Sequence, residues 1–347
     1  MTTLTRDPAH SAPAGRSRNS RAPRQGAPRL RGPAWLVWRQ HRAAFWTLIG
    51  LTVLAALAMV FLRGQMVDHL DAYDASAGKS GGPPSDFEEY TGRLFSFGGY
   101  LGYIPVLAGV FLGAPLIAGD LESGTAKLVT SQSVSRLRWL TTKLAMTAAL
   151  IALSTATLGA VFDWWWSPAQ GRTDTLEWTS GALFDVTGVM PVAYALLTFA
   201  VGVAVGTLLR RTLVSMVVTL GAVVAIGVVW DRFRLNLGNI QSVNTDQGVG
   251  PDARLPELPS QAVQQGQGTY FLTSSGERLD WTACLDQIDN EKAHTACLES
   301  QHVIGWSIDY LPISQMQTMQ WLGAGIMLTI AAAVVAFVLT WGRKRLL

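Results

Sequence analysis

Apolar residues fall along this chain in long blocks separated by polar stretches. Six blocks, at 44–62, 97–118, 144–162, 186–209, 212–230 and 321–341, approach the roughly 20 apolar residues that a helix needs to cross a bilayer. The fourth and fifth blocks nearly touch. As one helix, 186–230 would run about 68 Å at ~1.5 Å per residue, about twice a hydrocarbon core of ~30 Å. Only Arg210 and Arg211 interrupt it, so the chain must turn there into a tight helical hairpin. Polar residues dominate 63–96, expected as a loop, and 231–320, an insertion of about 90 residues between the fifth and sixth blocks. The pattern predicts an all-α polytopic membrane protein with six transmembrane helices.

Small residues recur inside two of these blocks. Gly98 and Gly102, Gly109 and Gly113, and Gly202 and Gly206 are each four apart, a spacing that lets helices approach closely. Pro105 and Pro115 can break the hydrogen-bond ladder of the second span. Mid-span polarity is limited to hydroxyls such as Ser154, Thr155, Thr157 and Thr198, expected to bond within their own helices.

Composition agrees with a membrane protein: 49% of residues are hydrophobic and 15% charged, against about 25% charged in a soluble chain. Charge placement sets an expected orientation. With six spans, one side carries 18 Lys and Arg against 3 acidic residues, and the other 9 against 21. Both termini are therefore expected in the cytoplasm and 231–320 outside. The net charge of +3 hides this split and gives no argument for nucleic acid. Residues 1–32, rich in Arg, Pro, Ser and Ala, read as a disordered basic cytoplasmic tail, too long to be the charged start of a signal peptide. At 33–43, Trp35, Trp38, Arg39 and Arg42 suit either an interfacial helix or an aromatic and basic anchor at a span end.

Catalytic signatures are missing. Gly78-Lys79-Ser80 lacks the upstream glycine of a phosphate loop, whose position is occupied by Tyr73. Metalloprotease, nucleophile-elbow and Cys-x-x-Cys patterns are absent, so the chain reads as a non-enzyme without its own ATPase motif. No acidic residue lies near a span centre; Asp163 and Asp185 mark outer ends. Ion-coupled transport usually needs ionisable groups at membrane depth, so that reading is disfavoured. Trp164, Trp165 and Trp166 read as an aromatic belt. Cys284 and Cys297 share the outer insertion, where a disulfide is expected. Free thiols, or a metal pair with His294 and His302, are the alternatives; no standard zinc spacing matches.

Between the second and third blocks lies a charged segment, 119–143. It contains Asp120-Leu121-Glu122-Ser123-Gly124-Thr125, then Ser133-Val134-Ser135-Arg136 and Lys143. An emerging helix broken at Gly119 or Gly124, a Ser cap, and Arg136, Arg138 and Lys143 at the lipid surface would make a docking element. A charged loop without a partner is the plainer reading.

This order of an acidic residue, a Gly-Thr pair, a Ser-Arg step and a Lys resembles the permeases of bacterial type-2 ATP-binding-cassette (ABC) exporters, as do the six-span layout and the stretch before the first span. Where members often show a basic–acidic pair, this chain has Gly119-Asp120. The resemblance implies a multi-pass protein of the bacterial plasma membrane whose 119–143 segment couples to a separate ATPase. Asp120, Glu122, Gly124 and Thr125 would then carry the coupling helix, and Ser135 and Arg136 would start the third span. It implies two ATPase copies, with ATP and Mg bound on them, a second permease, identical or related, and surrounding lipid. The expected division is 1–32 tail, 33–43 interfacial helix, 44–230 spans one to five, 231–320 extracytoplasmic domain and 321–347 sixth span with basic terminus. A membrane sensor or scaffold, with a ligand-binding outer loop, is the alternative.

Overall fold

The computed structural model describes residues 33–77, 87–124, 136–172, 176–249 and 253–345. The fold is mainly helical, and among the described residues six helical stretches are long and apolar enough to span a membrane. The basic tail, Gly78-Lys79-Ser80, Thr125 and Ser135 lie outside the described residues.

The first span belongs to one helix, α1 (Pro33–Ala77). Its start corrects the expectation of a separate interfacial helix at 33–43. Pro33 sits at the first position, where its missing N–H costs nothing, and no proline or glycine interrupts the stretch before Gly50. The expected loop at 63–96 is also largely helical: α1 runs on to Ala77, and α2 (Phe87–Leu101) begins soon after. Met59, Met66 and Leu70 on α1, and Phe87, Leu94 and Leu101 on α2, recur at heptad-like spacing and are buried together, so an apolar face continues beyond the bilayer-length block.

The second span is broken, as its glycines and prolines suggested. After α2 the chain turns at Gly102 and Tyr103, resumes as α3 (Ile104–Leu107), widens into a π-helical turn (Ala108–Gly113), and ends as α4 (Ala114–Glu122). The third span is α5 (Arg136–Trp166). A short helix, α6 (Gly181–Phe184), precedes α7 (Met190–Leu209), which starts four residues later than its apolar block. Arg210 takes a left-handed conformation (φ 57°) and turns the chain at once into α8 (Thr212–Phe233), the expected hairpin.

Helix α7 is the centre of the bundle, with 61% of its apolar window buried, against 17% for α1 and for α8. It packs on the second span, α5, α8 and the final helix α10 (Met316–Arg345). Glycine makes the contact with the second span possible. A Cβ on Gly113 would lie 2.6 Å from Phe199 O, one on Gly109 would lie 2.8 Å from Thr198 O, and one on Gly202 would fall on Gly109 O. Thr198 does more than bond within its helix: its hydroxyl also donates to Pro105 O across the interface at 2.6 Å.

The insertion corrects the all-α expectation. It holds a four-stranded antiparallel sheet in the order β1-β4-β2-β3, from β1 (Gln241–Thr245), β2 (Val263–Thr273), β3 (Arg278–Asp280) and β4 (Val303–Leu311), with α9 (Glu291–Ser300) between β3 and β4. Polar composition concealed strands in which only alternate stretches are buried. Phe271 stands opposite Trp306 with ring centroids 4.6 Å apart. A register shift between Gln264 and Thr269 absorbs Gly266 and Gly268, both at positive φ. Cys284 and Cys297 form a disulfide that ties the turn before α9 to its last helical turn. Val263 and Leu311 join the main helical core, and Trp178 Nε1 donates to Gln261 O at 3.1 Å, so the sheet is seated on the bundle.

The tryptophan triplet, expected as an aromatic belt, is a further correction. Trp165 and Trp166 are core residues, 1% and 3% exposed, with Trp165 edge-on to Phe97 and Phe162. Adjacent residues on a helix point about 100° apart, so three in a row cannot all face lipid. Only Trp164 is exposed, and Arg63 lies 3.8 Å from its ring centre.

Candidate functional site

The two arms of the 119–143 segment meet at a buried ion pair. Asp120, in the last turn of α4, and Lys143, two turns into α5, are joined carboxylate to ammonium. Asp120 is 5% exposed and Lys143 is fully buried. The second carboxylate oxygen of Asp120 accepts from Gln40 Nε2 of α1 at 2.7 Å. Trp139, one turn before Lys143, places its ring centre 5.3 Å from the ammonium. The pair closes over an apolar cluster that includes Leu116, Ile117, Leu140, Leu144, Phe199 and Val338. A buried charge is tolerated when paired and hydrogen-bonded, and both conditions are met.

Two residues further along, Glu122 reaches a fourth element. Its carboxylate accepts from the backbone N–H of Thr212, the first residue of α8, at 2.9 Å. Arg211, at the cap position, makes no side-chain cap. Glu122 therefore satisfies one of the open N–H groups at the α8 N-terminus and places negative charge at the positive end of the helix dipole. Gly124 follows with φ 70°, the left-handed conformation that ends α4, and the Ser123 hydroxyl donates to Gly119 O at 2.7 Å. Gly119 itself lies inside α4.

These placements change how several expected site residues are read. Lys143 does not rest at the lipid surface, because its ammonium is taken up by Asp120. Asp120 is buried in the bundle. Glu122 is exposed yet bonded to the hairpin tip. Arg136 opens α5. On α1, Trp35 is exposed with Arg39 5.2 Å from its ring centre, Trp38 packs on Phe45 and Trp46, and Arg42 is exposed. Sequence reasoning missed Gln40, His41 and Thr212. Their signal is faint: His41 lies four residues from both Val37 and Phe45, which are buried, so one polar residue interrupts a buried stripe, while Gln40 beside it is exposed. The His41 Nε2 is buried and makes no hydrogen bond among the described residues.

At the opposite end of the bundle, side chains knit the insertion to the helices. Gln320 donates to the carbonyls of Phe184 and Thr187, and Gln315 exchanges two bonds with the backbone of Asn239. In the insertion, the Asp280 carboxylate accepts from the N–H and hydroxyl of Thr282, at 2.8 and 2.6 Å, which holds it below the usual carboxylate range. Among the described residues no group of three or more His, Cys, Asp or Glu is placed to hold a metal. Cys284 and Cys297 are consumed by their mutual bond.

The contacts of Asp120 and Glu122 join α1, α4, α5 and α8. No curated protein and no solved structure matches the chain. The family model described as ABC-2 membrane transporter related matches residues 49–234, which take in most of span one, spans two to five, and Asp120, Glu122, Lys143 and Thr212 of this clamp but not Gln40, and the chain, a multi-pass membrane protein, belongs to that family.

Proposed function

We propose that the chain is the permease subunit of an ABC exporter, coupled to a separate ATPase through the segment after its second span. The observation that carries this reading is the clamp: a membrane protein of this family gathers four elements on Asp120, Lys143, Gln40 and Glu122 at the base of one polar segment. ATP and Mg would be held by the ATPase, in two copies, with two permeases forming the pathway. ATPase closure would push the segment around Glu122 and Gly124, with Thr125, Ser135 and Arg136 in the contact. The clamp would pass that push to the α7–α8 hairpin, which lies against the kinked second span.

In this reading both termini face the cytoplasm of a bacterial cell, as the Lys and Arg bias argues. The disulfide-bonded insertion stands outside, where disulfides persist. The test is affinity purification of the intact protein in mild detergent, with and without Glu122→Arg. A P-loop ATPase should accompany the parent and be recovered less with the variant. If several detergents yield no ATPase, the permease reading fails.

A further inference from the structure

A second feature lies away from the clamp, at the end of the bundle that carries the insertion. The turn at Gly102 and Tyr103 in the second span leaves a cavity of about 480 Å³ between it, α5, α6 and the start of α7. That is within the ~300–1,000 Å³ usual for small-molecule sites. Gly98, Gly99, Gly102, Gly159 and Gly181 line it and make the space, and Leu101, Ile104, Leu158 and Val186 make it mostly apolar.

Its polar wall is asymmetric. Asp185 accepts from Trp230 Nε1 at 2.7 Å and from Arg234 at 3.0 Å. Arg234, 7% exposed, also pairs with Asp231 at 3.0 Å, and its Nε makes no hydrogen bond among the described residues. Two carboxylates thus face one guanidinium, and Asp231, at the mouth, keeps a side chain 71% exposed. Arg232 beside it is exposed and does not line the cavity. Tyr194 lines the wall, is 8% exposed, and its hydroxyl makes no hydrogen bond among the described residues.

We propose that this cavity binds a monovalent organic cation with a compact apolar body, its positive nitrogen against Asp231 and Asp185 and a polar group on Tyr194. The excess carboxylate selects positive charge, and the apolar walls select an organic body. A hard metal ion, which takes six to eight oxygens, would find too few. This deepens the permease reading by assigning a chemical class to a molecule the protein handles. Its test needs no ATPase, so either idea can fail alone.

The experiment is a fluorescence titration of the full chain in lipid nanodiscs with ethidium, competed by benzyltrimethylammonium, and with 8-anilinonaphthalene sulfonate as an anionic comparison. Expected is saturable ethidium binding, displaced by the second cation. Asp231→Asn should weaken it about tenfold, Tyr194→Phe severalfold. Gly99→Leu, which fills the cavity from a position where a Cβ meets nothing within 4 Å, should abolish it while the protein keeps its melting temperature. Failure to bind either cation at millimolar concentration overturns the proposal. So do equal binding of the anionic probe, or parent-like affinity in Asp231→Asn or in Gly99→Leu.

Discussion

At the scale of single residues, the molecule rests on a few buried polar contacts and on backbone approaches that only glycine permits. Lys143→Met leaves the Asp120 carboxylate buried without its cation, a change that typically costs about 3–5 kcal/mol. The double variant Lys143→Met with Asp120→Asn removes both charges and keeps an acceptor for Gln40. Its melting temperature in detergent should recover most of the loss; if it melts no higher than Lys143→Met, the pair is not what holds this corner. Gly202→Ala places a methyl on Gly109 O and should lower the melting temperature sharply. Gly221→Ala, in open space on α8, should be neutral or add up to about 1 kcal/mol through helix propensity. The same melting assay compares them. Asp280 adds a pH effect with a definite sign. Its carboxyl titrates lower in the folded chain than in the unfolded one, so its contribution is present above about pH 4 and disappears as pH falls through the folded value. The protection factor of the Thr282 amide, its exchange rate divided into the intrinsic rate at each pH, should fall in that acid window and stay flat from pH 5 to 8.

At the scale of elements, the six apolar blocks were legible as spans because bilayer thickness imposes a length on any crossing helix. The hairpin at Arg210 and the broken second span were legible for the same kind of reason: length in one case, proline and glycine in the other. Helix ends were not. Pro33–Ala77 far exceeds its apolar block, since Met66 and Leu70 find partners on α2 that no local window contains. The sheet was missed because its strands become apolar on one face only after β4 pairs between β1 and β2, which are separated from it by long stretches of chain. The disulfide was expected from compartment and parity, and it closes a loop worth about 3 kcal/mol in chain entropy. Reduction should make the segment around α9 protease-sensitive while the helical bundle keeps its melting transition. Loss of both together would mean that the insertion and the bundle unfold as one unit.

At the scale of the whole molecule, α1 and α8 keep broad apolar faces, including Leu51, Leu54 and Phe61 on one and Val217, Val228 and Val229 on the other. Such faces suit a bilayer or another helix and would be costly in water. If the charge bias sets orientation, an alkaline phosphatase inserted at the Ser274–Ser275 turn will be active, and a green fluorescent protein fused after Leu347 will fluoresce. The reverse pattern would place the insertion inside the cell and remove the argument for where the ATPase docks. The number of spans, their hairpin and kinks, and the polar segment after the second span all follow from local chain properties: apolar length, charge and backbone restriction. The meeting of Asp120 with Lys143 and Gln40, and of Glu122 with Thr212, does not. These residues come from four separate helices, and burial turned a lysine expected at the lipid surface into the partner of an aspartate expected at a docking surface. That outcome depends on which faces the helices bury together, a property of the packed bundle that no stretch of its sequence holds alone.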